Sequence, residues 1–196
     1  VIADIGCGPY GIVKGIVIYS QKKNIFPKKL YGIDPLMDFY KELGTLPKEN
    51  YVELLKAKGE ELPLQPNTCD YVYCINVIDH VENPDEVIRE CYRICKEGGE
   101  FLFAVHVVTS FAWFIRPLLF LVDKNHPHHF TSSMIVKKAK KVFPLVKVNR
   151  EVSIKEDHPE FTFQNIFHIK QKKRAIKRWL STLMLKTIYI KCDKFI

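Results

Sequence analysis

Nowhere in the 196 residues does an apolar run of about 18 residues escape interruption by charge, so no membrane-spanning helix is expected. Paired cysteine motifs are missing too. Cys7, Cys69, Cys74, Cys91, Cys95 and Cys192 include no C-x-x-C, and Cys91 and Cys95, four apart on one predicted helix, lack a His/Cys partner pair at zinc spacing. That excludes a disulfide framework and a structural metal, and it points to reduced thiols in a cytoplasmic setting. No internal repeat and no low-complexity linker divides the chain. The reading is one domain over residues 1–170 with a basic, amphipathic C-terminal extension over 171–196. There is no initiating methionine, and the chain opens inside a strand, so its N-terminus is expected to be truncated.

Charge is unevenly spread. After position 136 there are 16 Lys/Arg against 5 Asp/Glu, a net of +11, which leaves −3 on the preceding 136 residues. A near-neutral body with a basic end argues against a chain that coats nucleic acid along its length. It leaves one cationic surface. Within it, Ile176, Trp179, Leu180, Leu183, Met184 and Ile188 recur at helical spacing in a predicted helix from Lys170 to about Lys191. Such a helix suits either peripheral contact with a membrane or docking on the domain or a partner.

Glycine is scarce, nine in all, yet three fall within positions 6–11. The opening Val1-Ile-Ala-Asp4-Ile-Gly6-Cys7-Gly8-Pro-Tyr-Gly11 reads as a buried strand, a tight turn and a helix start, with G-x-G-x-x-G spacing. Backbone N–H groups at such a turn can cradle a nucleotide-like ligand. Further on, β and α segments alternate through short loops: strands at 30–33, 51–56, 71–75 and 100–108, and helices at 12–20, 37–43 and 83–95, the last stopped by Gly98-Gly99. This alternation predicts an α/β, Rossmann-like, doubly wound sheet with helices on both faces. Residues 132–142 read as a capped helix, and 145–154 and 161–169 as two closing strands. In such sheets ligands sit at the carboxyl ends of the strands, at the topological switch point. Asp34, ending the second strand 23 residues after Gly11, is placed to accept ribose hydroxyls, or else merely to cap the helix that follows.

Six ordered blocks narrow the ligand. They are Asp4 to Gly11, Tyr31-Gly-Ile-Asp34-Pro35, Gly59-Glu60-Glu-Leu-Pro63, Cys69-Asp-Tyr-Val-Tyr73, Asn76-Val-Ile-Asp79-His80-Val81 and Lys96-Glu-Gly-Gly-Glu-Phe101. Together they resemble the class I S-adenosylmethionine-dependent methyltransferases, closest to the large small-molecule group, over residues 1 to about 105. The resemblance implies a mostly parallel seven-stranded sheet with one antiparallel strand near the C-terminus, S-adenosylmethionine as cofactor, and a small or lipid-like acceptor. It implies that Asp4 orients the glycine turn near the methionine amino group, and that Gly6, Cys7, Gly8 and Gly11 form the cradle. Asp34, with Pro35 beside it, would hold the ribose. Gly59 and Glu60 would flank adenine, and Asn76 would present its backbone to the methionine moiety.

Three positions depart from the family pattern. Lys58 stands where an acid usually meets the adenine amino group. Asp79 replaces the first histidine of a His-His pair, and Glu97 replaces a proline.

The expected chemistry is displacement at a sulfonium methyl, with a base needed only for an acceptor that holds its proton tightly. His80 and His106 are the candidate catalytic residues. The loop Asn125-His-Pro-His-His-Phe-Thr131 reads as a wall of the acceptor pocket rather than a metal tract, and the apolar 111–122 stretch as core, acceptor pocket or membrane contact. Three other functions share parts of this pattern. An NAD-dependent oxidoreductase needs the glycine turn and Asp34, but neither Asp4 nor the block from Asn76. A nucleic-acid methyltransferase calls for an Asn/Asp-Pro-Pro-Tyr block where Asn76-Val-Ile-Asp79 stands. A non-catalytic binding module would account for Lys58 and Asp79.

Overall fold

The computed structural model describes residues 1–9, 11–44, 46–109, 127–153 and 185–194. Seven strands form one sheet: β1 (Ile2–Ile5), β2 (Leu30–Ile33), β3 (Val52–Leu55), β4 (Cys69–Ile75), β5 (Cys95–Val108), β6 (Leu145–Ser153) and β7 (Leu185–Asp193). Their order is β3-β2-β1-β4-β5-β7-β6, parallel except for β7, which runs antiparallel to both β5 and β6. The chain winds one way from β1 to β3 and the other way from β4, so the switch point lies between the carboxyl ends of β1 and β4. That crevice is where the fold leaves room for a ligand.

Four helices cover the sheet among the described residues: α1 (Ile12–Lys23), α2 (Met37–Glu42), α3 (Pro84–Ile94) and α4 (Ser132–Lys140). In α3 the buried residues Val87, Ile88, Cys91 and Ile94 form a stripe at helical spacing. Its start is fixed by the Asn83 side chain, which accepts the Glu86 N–H, and by Pro84 in the first turn. Thr131 caps α4 in the same way through the Met134 N–H. Lys138 Nζ then bonds Asp85 Oδ2 at 2.7 Å, tying α4 to the start of α3. Both helices press on the alternating inward residues of β4, β5 and β7: Val72, Cys74, Phe101, Phe103, Ile188 and Ile190. Phe101 stacks on Phe103 and Phe143 at 5.1 and 5.3 Å. Burying each such side chain contributes roughly 1.5–3 kcal/mol. A smaller cluster of Cys7, Val13, Val17, Leu30 and Met37 joins α1 and α2 to β1 and β2.

The expected fold class holds, with corrections to its elements. Residues 185–193 are not the end of a basic helix but strand β7. Ile188, Ile190 and Cys192 are buried at period 2, so an apolar residue that suited a helical stripe also suits a strand, and pairing with both β5 and β6 decides between them. These residues belong to the sheet, not to an extension. The rest of that predicted helix, the predicted 161–169 strand, the 111–122 apolar stretch and His126 lie outside the described residues. Gly98-Gly99 does not stop α3, which ends at Ile94. Both glycines lie within β5, which starts at Cys95 paired with Cys69. Lys194, expected to add to a cationic surface, is buried. Its ammonium donates to Asn67 Oδ1, Tyr92 O and Cys95 O and sits 4.3 Å over the Tyr92 ring, which pins the end of β7.

All six cysteines are buried, and burial raises the thiols of Cys69, Cys95 and Cys192 to about 12, 11 and 12. They behave as small apolar residues rather than nucleophiles. No helix among the described residues is long and apolar enough to cross a membrane.

Candidate active site

At the switch point lies a cavity of about 520 Å³, lined by Gly6, Gly8, Asp34, Pro35, Leu36, Tyr40, Lys58, Gly59, Glu60, Asn76, Val77, His80, Val81 and Glu82. Its size is that of a small-molecule or cofactor site. Nine residues singled out in the sequence line it: Gly6, Gly8, Asp34, Pro35, Lys58, Gly59, Glu60, Asn76 and His80. Asp4, Cys7, Gly11 and His106 do not.

The wall nearest β1 is made by backbone. Gly6 and Cys7 both donate their N–H to Ile33 O, at 2.7 and 3.2 Å, which folds the turn over the end of β2. Gly6 has φ +67, and a Cβ there would lie 2.3 Å from Val77 Cγ2. Gly8 has φ +54 with open space where its Cβ would be. Gly6 thus seals the turn against the β4 loop, and Gly8 leaves room for a ligand to approach the chain.

Asp34 is 7% exposed, and it accepts the Gly8 N–H at Oδ2 (3.0 Å) and the Leu36 N–H at Oδ1 (2.8 Å). It therefore fixes the turn that leads into α2 and braces the glycine turn at once. Each carboxylate oxygen keeps a further lone-pair site, so these bonds do not use up its capacity for a pair of hydroxyl donors.

Asp4 lies beneath the turn, 2% exposed. Its Oδ2 accepts the Val13 N–H at 3.1 Å and lies 2.9 Å from where a Cβ on Gly11 would stand. Asp4 supplies the cap that Gly11 cannot. Burial raises its carboxyl from the ordinary 3.8 to about 7; bonds from Val13 and Ile12 oppose this, and the charge of Asp34 adds to it. Cys7 is likewise internal. Burial first, then the charges of Asp4 and Asp34, push its thiol well above the usual range.

The opposite wall is made by side chains. Asn76 ends β4 with φ +56 and donates its N–H to Ala104 O at 2.9 Å. Lys58 Nζ bonds Glu82 Oε1 at 2.7 Å across the cavity mouth. This pairing raises the lysine and lowers the glutamate. Glu60 Oε1 accepts the N–H groups of Glu82 and Asn83, so the loops after β3 and β4 are joined twice. The lining carries the acids Asp34, Glu60 and Glu82 against the paired Lys58. That balance favours a cationic ligand over a pyrophosphate-bearing one.

His80 is partly exposed on the cavity wall, with Nε2 4.0 Å from Oδ1 of the buried Asp79. His106 is elsewhere, on β5 with its Nδ1 3.2 Å from the Thr187 hydroxyl across to β7. From the His-rich loop, His128 Nε2 meets Val81 O at 2.9 Å, so this segment packs on the β4 loop. Among the described residues no cluster of His, Cys, Asp and Glu could hold a metal. Leu36, Tyr40, Val77, Val81 and Glu82 were missed in the sequence. The spacing of Leu36 and Tyr40, one helical turn apart directly after Asp34, was a usable signal. The partnership of Lys58 with Glu82 had none.

The model for a family described as methyltransferase domain matches residues 3–103. The chain belongs to that family. The matched region ends within β5, so it contains every cavity residue. A ubiquinone biosynthesis O-methyltransferase of Pseudomonas putida is 43% identical over 108 residues, 53% of this chain and 43% of that enzyme. A malonyl-[acyl-carrier protein] O-methyltransferase of a Marinomonas species is 28% identical over 137 residues, 68% of this chain and 48% of the relative. The chain thus spans less than half the length of the curated relatives it matches. Among solved structures, geranyl diphosphate C-methyltransferase of Streptomyces coelicolor, in complex with S-adenosyl-L-homocysteine, shares the fold. It has a TM-score of 0.70 at 12% identity, covering 98% of this chain and 70% of that one.

Proposed function

We propose that this domain binds S-adenosylmethionine in the switch-point cavity and transfers its methyl group to a small-molecule acceptor. The observation that carries the reading is the convergence of the Gly6–Gly8 turn, the Asp34 carboxylate and the end of β4 at Asn76 on one acid-lined cavity. The residues suit the cofactor. The open side of Gly8 admits close approach, Asp34 has lone pairs for two ribose hydroxyls, and the excess of acid over base suits a ligand carrying a sulfonium and an ammonium. When bound, the cofactor supplies a methyl already activated by the positive sulfur, so the protein's tasks are alignment and exclusion of water.

Asp34 would hold the ribose, Gly8 the amino-acid end, and the Lys58–Glu82 pair would border adenine. Asp4 acts from below by holding the start of α1 against the turn. For an acceptor with a hydroxyl proton, His80 is the base with access to the cavity. His106, bonded toward β7, is a weaker candidate because it lies off the cavity wall. The relatives named for O-methylation favour an O–H acceptor, and their names leave room for acids as well as phenols.

The test is acceptor-dependent formation of S-adenosylhomocysteine from methyl-labelled S-adenosylmethionine, across a panel of phenols, carboxylic acids and amino alcohols. Labelled product from at least one member, lost in Asp34→Ala, is the expected result. A panel with no labelled product, from a protein that binds the cofactor, would turn the reading toward a binding module.

A further inference from the structure

We propose that Glu90 and Arg93 of α3 are a positioning pair for the base-binding wall of the cavity: they hold the loop after β3 in place and so set which nucleobase the site accepts. Neither residue lines the cavity. This assignment rests on the reading of the cavity as the cofactor's site. With the ribose on Asp34 at the end of β2 and the amino-acid end on Gly8, the base is left the β3 side, where Lys58, Gly59 and Glu60 stand.

Between β3 and β4 the chain runs from Lys56 to Thr68 without helix or strand, so its path is set by what it lies against. It lies against α3. Glu90 Oε2 accepts the Leu62 N–H at 2.8 Å. Arg93 donates from Nη1 to Leu64 O at 2.7 Å and from Nη2 to Leu62 O at 2.9 Å. The two side chains also bond each other, Nε to Oε1 at 2.6 Å and Nη2 to Oε2 at 2.7 Å. Each is thus fixed in a planar fork while it holds the loop. The Leu62 side chain is buried in the core with Val87 and Ile88 of the same helix. Further along, the Asn67 and Thr68 N–H groups donate to Arg93 O and Ile94 O at 2.9 and 2.8 Å.

The lining residues are next in line. Glu60 takes the N–H groups of Glu82 and Asn83, where α3 starts. Gly59 is pressed on α3: a Cβ there would lie 3.2 and 3.3 Å from the Val87 methyl groups, one turn before Glu90. The loop is therefore strapped along α3, with the cavity residues at one end and the charged pair at the other. Removing the pair leaves the Leu62 and Leu64 carbonyls without these donors, and Gly59 and Glu60 gain room to shift. Their position matters for the base. Lys58 is engaged by Glu82, so this wall offers an excess of carboxylate oxygens. Acceptor oxygens suit the amino group of adenine and disfavour a carbonyl oxygen in its place. Only a wall held at a set distance can make that distinction.

The experiment titrates S-adenosylhomocysteine and S-inosylhomocysteine, which carries a carbonyl oxygen where the other carries the amino group, into wild type, Arg93→Met and Asp34→Ala by calorimetry. The wild type should bind the adenosyl ligand about tenfold more tightly or better. In Arg93→Met that preference should fall below about threefold, with affinity for S-adenosylhomocysteine down about tenfold. Asp34→Ala should weaken both ligands alike and keep the preference, because the ribose is common to them. Glu90→Gln serves the same comparison should Arg93→Met not fold, as judged by amide dispersion. A folded variant of the pair that keeps the full preference, even with both ligands weakened alike, would overturn the proposal and leave the pair a role in stability alone. A wild type indifferent to the base would overturn it too. Wild-type protein that binds neither ligand would overturn the reading of the cavity itself, and the proposal with it.

Discussion

The two walls of the cavity are built on different principles. On the β1–β2 side the surface offered to a ligand is bare glycine backbone and one carboxylate, placed by strand register. Asp4 stands beside Gly32 and Ile5 beside Ile33, and the turn closes on Ile33 O. On the β3–β4 side the surface is made by side chains that hold one another or the next loop: Lys58 with Glu82, and Glu60 with the N–H groups of Glu82 and Asn83. The first wall tolerates few residues at its key positions, because a Cβ or a negative φ breaks it. The second can be rebuilt from other pairs. This difference explains why the chain keeps the family's glycines and Asp34 yet departs from its pattern at Lys58 and Asp79.

The largest effect is expected at Gly6. Gly6→Ala places a Cβ 2.3 Å from Val77 Cγ2 at a φ of +67. It should destabilise the fold by about 2–4 kcal/mol in urea unfolding, the sum of overpacking and a left-handed penalty. The double variant Gly6→Ala/Val77→Ala separates the two: the overpacking part should vanish and about 1 kcal/mol should remain. A silent single variant would erase the contrast between the walls.

Next comes Asp34→Ala, which removes a carboxylate that braces the turn and is proposed to hold the ribose. Affinity for S-adenosylhomocysteine by calorimetry should fall by about 10- to 100-fold.

Asp4→Asn sharpens the comparison from beneath the first wall. The folded carboxyl of Asp4 lies near 7 against 3.8 when exposed, so the folded state holds an extra proton between those values. Stability without cofactor therefore declines as pH rises from about 4 to about 7, and this contribution is fully present only below the unfolded value. The asparagine variant should lack that decline in thermal melts across the window, while binding the cofactor's ammonium end more weakly.

The smallest effect is expected on the second wall. Lys58→Met breaks an exposed pair, and the affinity for S-adenosylhomocysteine should change by less than about fivefold, with part of its salt dependence lost.

Much of the first wall was legible in the sequence, because its constraints act residue by residue: a glycine turn after a buried strand, and an acid at the end of the next. The order of β1 to β5 was legible for the same reason, each strand being a short apolar run bounded by turn chemistry. Three features were not. Ile188 suits a helical stripe and a strand equally, and only the slot between β5 and β6 selects the strand. Gly98, read as a helix stop, occupies a φ of +75 inside β5 instead, because Cys95 already pairs with Cys69. His106 lies on a strand whose direction is plain, yet which neighbour its ring meets depends on Thr187, 81 residues away. Such pairings between distant residues leave no local pattern to read.

The central claim is that the acid-lined switch-point cavity takes S-adenosylmethionine rather than a dinucleotide. Calorimetric titration of the wild-type protein with S-adenosylhomocysteine and, separately, with NAD tests it most directly. The account predicts saturable one-site binding of S-adenosylhomocysteine and no binding heat from NAD. Saturable binding of NAD with none of S-adenosylhomocysteine would contradict it.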